Sequence, residues 1–395
     1  MTNSLSPRRR GGFSLIELMV SVVVGMLALL FATRLITNAE INRNASLGGS
    51  DAMQNGMLAL FSMQNDAAQA GWGLNDTLVA GCDTVFTDAS GYTLAPAPRN
   101  GAVITPMSAV IIEDGGANPD RITFYTGTSP AAVGSVKSSL AYAGGSVLKI
   151  ATRAPYGFNQ GDVIVVAPEP AGATKCALAQ VASIPPFPND DGIDFSAGSA
   201  YRFNTAGGLG ANFGAGQARV YNLGPGSRLA FHSWSVNNGI LLLRATDLAG
   251  ASQQPVSVID NVVSIKAQYG FDTRVLPGYD PAPDKDGMQV GQWSSTMINA
   301  DGDADTGGAG DFQRIAAVRI AVVARSKSAE KPDSHGNCSA TTVQPQVFTS
   351  VAPAGVAAVP VTVNVAVAGD PIDWKCYRYR VFETIVSLRN AEWRP

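Results

Sequence analysis

At 395 residues the chain is long enough to bury a substantial core, and length alone admits two or three domains. Only 15% of residues are charged, the formal net charge is −3, and Gly (42) and Pro (23) are plentiful, which fits a β-rich exported domain with many turns. No sustained basic patch interleaved with aromatics occurs, so nucleic acid has little electrostatic support as a partner.

The first predicted element is an apolar helix. It begins at Phe13, directly after Arg8, Arg9 and Arg10, and runs through FSLIELMVSVVVGMLALLFATRLI with one early charge, Glu17. A helix over that stretch matches a hydrocarbon core of ~30 Å, and the arginines hold residues 1–12 in the cytoplasm and send the remainder outward. No small-residue cleavage site follows the run, so the helix is expected to be retained as a single-pass anchor. An ionised carboxylate inside a membrane costs roughly 2.5–3.5 kcal/mol, so Glu17 calls for a partner; the bland alternative places it at headgroup level.

Gly12-Phe13-Ser14-Leu15-Ile16-Glu17 resembles the type IV prepilin motif: Gly before the cut, Phe after it, and Glu at the fifth mature position. The resemblance implies that a prepilin peptidase cleaves between Gly12 and Phe13 and that the new Phe13 amine is N-methylated. Glu17, about 6 Å further along the helix axis, would then neutralise the amine of an adjoining subunit and set subunit register. Many major pilins have a helix proline about ten residues after the position of Gly25. None occurs here between Phe13 and Gly81, which weakens a major-pilin reading.

The expected organisation is a leader over 1–12, a membrane and filament-core helix over 13–36, an amphipathic stalk helix over 37–71 and a β-rich domain over 72–395. On the stalk, Met53, Met57, Leu60 and Phe61 fall at helical spacing and are expected to pack on the domain. Gly48-Gly49 predicts a kink or a short melted stretch, and Gly71 a stop.

Beyond Gly71, β-branched runs separated by turn residues read as strands: 102–104, 121–125, 162–166, 228–231, 239–243, 262–269, 315–324 and 377–388. The four cysteines, Cys82, Cys176, Cys338 and Cys376, all lie on the exported side and none forms CxxC. His232 and His335 stand in loop-like sequence, so zinc lacks close partners and two disulfides are the better reading. Three pairings exist. Cys82–Cys176 with Cys338–Cys376 is favoured because neighbours close shorter loops, and buried free thiols are the alternative.

Several blocks resemble the PilW family of type IV pilus minor pilins: Gly161-Asp162-Val163, the run Val258 to Thr273, the run Ile315 to Ser326, and Leu388-Arg389-Asn390. Read without the resemblance, each is a core strand. The family implies a non-enzymatic subunit that helps initiate pilus assembly in a tip complex. Its partners would be other minor and major pilins, the prepilin peptidase, the inner-membrane assembly platform and the inner membrane itself. Alternatives are the large minor pseudopilin of type II secretion and a pilus-tip adhesin.

Asp301, Asp303 and Asp305 alternate as a calcium loop opens, but Thr306 and Phe312 stand where an EF-hand needs Gly and Glu. A non-EF calcium site would use these three with Asp311; a solvated Asp/Gly loop is the plainer reading, and no other cofactor is indicated. Asp284-Lys285-Asp286-Gly287 is a weaker version, opposed by its lysine. Gly208 to Gly214 has the glycines of a nucleotide loop without its strand and helix, and reads as a flexible surface loop. No G-x-S-x-G, Walker or H-E-x-x-H sequence is present. The apolar stretch Val361 to Ala368 reads either as an edge strand open to a neighbouring pilin or as a buried strand. The fold class expected is α+β and pilin-like, with one long N-terminal helix against a mostly antiparallel β domain.

Overall fold

A computed structural model describes residues 14–130, 134–153, 157–275, 278–279, 287–388 and 390. Helix α1 spans Leu15–Gln69 without a break, so the interruption expected at Gly48-Gly49 is absent. Two glycines cost about 2 kcal/mol in a helix, and the flanking turns carry enough helix formers to bridge them. The helix stops at Ala70, and Gly71 follows with φ 85°, a conformation that favours glycine.

Among the described residues, three larger sheets build most of the β domain, with three two-stranded pairings beside them. The first, here the stalk sheet, orders Gln292–Ser294, Val262–Phe271, Ile315–Arg325 and Tyr379–Ser387, all antiparallel. A second orders Val256–Asp260, Ile240–Ala245, Ala230–Asn237, Arg121–Thr126 and Val110–Glu113. The third orders Thr84–Val85, Cys176–Gln180, Asp162–Pro168, Ala218–Pro225 and Ser135–Lys137, where only the Thr84–Val85 pairing runs parallel.

The C-terminal half of α1 lies on the stalk sheet, chiefly over its last two strands in that order. The stripe that packs is Ala52, Gly56, Ala59, Met63 and Ala67. This corrects the expected stripe: Met53, Met57 and Phe61 are exposed, and Leu60 is half-buried. Side-chain size is the reason. Small residues let the helix backbone approach the sheet, and a Cβ on Gly56 would stand 2.2 Å from the Phe382 ring.

One core joins that stripe to all three sheets. The central strands are buried on both faces, which accounts for their near-continuous apolar sequences. In Ile315–Arg325, Val318, Ile320 and Val322 face this core, while Ala321 and Val323 face a smaller cluster with Val347, Phe348, Val363 and Val365 behind the stalk sheet. In Asp162–Pro168, Val163 and Val165 face the main core, and Ile164 and Val166 face a separate one with Tyr142, Phe195, Leu209 and Phe213. The Gly208 to Gly214 segment is therefore a core-packed turn: Leu209 and Phe213 are buried, and Tyr142 crowds Gly208.

Candidate assembly interface

Residues Leu15–Thr37 of α1 form a helix long and apolar enough to cross a membrane, and none of it touches the β domain. Glu17 lies in its first turn and is exposed. Gly12 and Phe13 lie outside the described residues. The anchor and the stalk are one continuous helix, Leu15–Gln69.

That helix is held to the domain by more than apolar contact. On one flank, Asn55 Nδ2 donates to the Asp260 carbonyl at 2.9 Å. Further along, Asp66 Oδ2 accepts from Trp234 Nε1 at 2.7 Å and meets His232 Nδ1 at 2.9 Å, while His232 Nε2 meets Asp247 Oδ1 at 2.8 Å. His232 sits on the Ala230–Asn237 strand, not in a loop as its sequence suggested. Burial opposes its charge, but the hydrogen bonds to Asp247 and Asp66 outweigh it and hold its pKa up at about 10. A folded pKa above the unfolded value of about 6.5 stabilises the fold fully below pH ~6.5, and that contribution is lost as pH rises through about 10. The stability advantage of the wild type over His232→Gln should therefore shrink by on the order of 2–4 kcal/mol between pH 6 and pH 10.5. Urea titrations at the two pH values check this, and an advantage that does not change with pH would refute the charged bridge.

At the top of the helix, Asn390 Nδ2 donates to the carbonyls of Gln69 (2.9 Å) and Ala70 (3.2 Å), satisfying orphan groups of the helix C-terminus. The far end of the chain thus caps the first helix.

A second polar device joins the stalk sheet to the turn of the 110–126 hairpin. Lys266, fully buried, is ion-paired with the equally buried Asp120, reaches Asp114 at 3.3 Å, and donates to the Gly116 and Asn118 carbonyls at 2.9 and 3.2 Å. Beside it on the same face, Gln268 accepts from Arg319 Nε and Nη2 at 2.9 and 2.6 Å, and the Arg319 guanidinium lies over Trp293 and Phe348. The Val359 carbonyl closes this polar face by accepting from Gln268 at 3.0 Å.

Sulfurs of Cys82 and Cys176 are bonded, as are those of Cys338 and Cys376. Of the expected calcium residues, Asp311 is consumed by backbone. Its Oδ1 accepts from Ala300 and Asp301, and its Oδ2 from Gly307 and Gly308. Asp301 and Asp303 accept from the amides two residues on, and Asp305 accepts from Asn100. Among the described residues no group of three or more His, Cys, Asp or Glu is placed to hold a metal ion. Asp284, Lys285 and Asp286 lie outside them. Within Val361 to Ala368 only Val361–Thr362 is a strand, paired with Gln346–Val347, and Val363 and Val365 are buried. The segment is thus a short two-stranded pairing followed by an irregular stretch that buries Val363 and Val365 behind the stalk sheet, neither a long open edge nor a buried strand.

The sequence reading missed Asp66, Asp247 and the Lys266 cluster. A lone charge inside an otherwise apolar strand such as Val262–Phe271 was the available signal for Lys266.

No curated protein and no solved structure matches the chain. Residues 7–33 match the family model of the prokaryotic N-terminal methylation motif, and residues 234–390 match that of the type IV pilus-assembly protein W. The second match takes in the whole sheet on which the stalk lies, and in these two regions the chain is similar to PilW-family pilins with a prepilin-type N-terminal motif.

Proposed function

We propose that this chain is a minor pilin that helps initiate type IV pilus assembly within a complex of pilins at the filament tip. The observation that carries the reading is the rod: an exposed apolar helix with one carboxylate in its first turn, rigidly continuous with a stalk clamped to a β domain. Its role is structural. The basic leader stays cytoplasmic and the β domain faces the periplasm. The prepilin peptidase cuts between Gly12 and Phe13, the Phe13 amine is N-methylated, and Glu17 pairs with the corresponding amine of an adjoining subunit.

Complementing a deletion strain with Glu17→Ala tests this. The variant should be cleaved normally yet lower surface pili about tenfold or more, since an unmatched charge in the membrane costs roughly 2.5–3.5 kcal/mol and each 1.4 kcal/mol is tenfold. Gly12→Leu should accumulate at the mass of the uncut precursor. Normal piliation by Glu17→Ala would refute the pairing. Loss of enzyme secretion with intact pili in the deletion strain would move the protein to type II secretion.

A further inference from the structure

The last strand of the stalk sheet, Tyr379–Ser387, is an edge: it pairs with Ile315–Arg325 and with nothing else among the described residues. Natural sheets blunt their edges with short strands, bulges, prolines or inward charges. The other sheet edges here follow that rule. Gln292–Ser294, Ser135–Lys137 and Thr84–Val85 have two or three residues, Val110–Glu113 has four, and the pairing of Val256–Asp260 shifts register at Leu241/Leu242. Tyr379–Ser387 is nine residues long, keeps one register from end to end and contains no proline.

Its hydrogen-bonding direction follows from its flanks. Ser326 N donates to the Arg378 carbonyl and Leu388 N to the Ala316 carbonyl, so even-numbered residues face the neighbouring strand. The amides and carbonyls of Tyr379, Val381, Glu383, Ile385 and Ser387 therefore point out of the sheet, and among the described residues none of them has a backbone or side-chain partner. Val381 and Ile385 are 37% and 43% exposed.

The stalk helix flanks this edge. Asn55 and Asp66 tie one side of α1 towards Asp260, His232 and Trp234. The opposite side, about 140–180° round the helix at 100° per residue, carries Met53 and Met57 and lies toward the free strand. Methionine fits partners of varied shape.

We propose that the outward edge of Tyr379–Ser387, floored by Met53 and Met57, accepts an extended strand from a different pilin subunit. This deepens the assembly role above and rests on it. Backbone groups in a row are satisfied by a strand, and the chain's own helix is long and apolar enough to cross a membrane, so the occupant is another subunit held in the same membrane. A second copy of this chain is disfavoured: symmetric pairing over the whole strand sets Glu383 against itself.

The test uses the full chain in cells that make pili, with a photo-reactive amino acid at Val381 or Ile385 and, as a remote control, at Val103, 76% exposed. Adducts to another pilin should form from 381 and 385 and not from 103. Ile385→Pro, which removes an outward N–H and leaves the inner ladder intact, should lower the 381 adduct about tenfold, as should Met57→Glu in a chain whose stalk sheet is unaltered. Pili that incorporate the chain with no adduct from either edge position would overturn the strand pairing while leaving the assembly role standing. Adducts of the chain to itself would overturn it too. Edge adducts in cells where the Glu17→Ala variant still assembles would instead keep the pairing and remove the role assigned to Glu17.

Discussion

Lys266→Met should destabilise the protein by about 3–5 kcal/mol, the usual effect of removing one partner from a buried ion pair. Methionine keeps the length of the side chain, so the loss is of charge and hydrogen bonds rather than of volume. What remains is Asp120, fully buried, still accepting from the Gly115 and Ala267 amides but with no cation beside it. In the wild type, burial already pushes the Asp120 carboxyl up to about 6 against the pull of Lys266. A folded pKa above the unfolded 3.8 means that the folded chain holds the proton more tightly, so this group costs stability as pH climbs from about 4 to about 6. Without Lys266 that cost grows. The deficit of Lys266→Met should therefore be smaller at pH 4.5 than at pH 8, and Asp120→Asn in the same chain should recover part of it. Chemical denaturation of the three proteins at both pH values measures this; a deficit equal at the two pH values would show that Asp120 is not the group left stranded.

Loss of the Cys82–Cys176 bridge should have an effect of similar size. The two cysteines are 94 residues apart, and constraint of an unfolded loop that long is worth about 4–5 kcal/mol. Both are buried in the main core, where the bridge ties the turn after α1 to the Cys176–Gln180 strand. Cys338 and Cys376 are 38 residues apart, so removing that bridge should cost about 1 kcal/mol less. Urea midpoints of Cys82→Ala/Cys176→Ala and Cys338→Ala/Cys376→Ala give the order. A larger loss from the shorter loop would mean that native packing, not chain entropy, governs both.

How the stalk sits on its sheet shows where a sequence reading reaches its limit. Large apolar residues at helical spacing pointed to Met53, Met57 and Phe61, because hydrophobicity was taken as the sign of burial. The packed face instead carries Ala52, Gly56 and Ala59, with Met63 the one large side chain in the row, because small residues let the helix backbone come close to the sheet. The large residues stay outside, and Met53 and Met57 become available to a partner. His232 misled for a related reason. Its nearest sequence neighbours gave no carboxylate at helical or strand spacing, and its two partners come from positions 66 and 247.

Local sequence determined what depends on near neighbours: the prepilin-type motif, the membrane-length helix, most strands as apolar runs between turns, and the α+β class. Those follow from hydropathy, period and turn chemistry, which act over a few residues. The tertiary structure alone decided which side of α1 is buried, that Asp311 accepts from four backbone amides, that Lys266 and Asp120 meet, and that Tyr379–Ser387 is an edge strand among the described residues. Each of these depends on which segments distant in sequence are brought together, and a hydrogen bond or a void has no signature until both of its sides are in place.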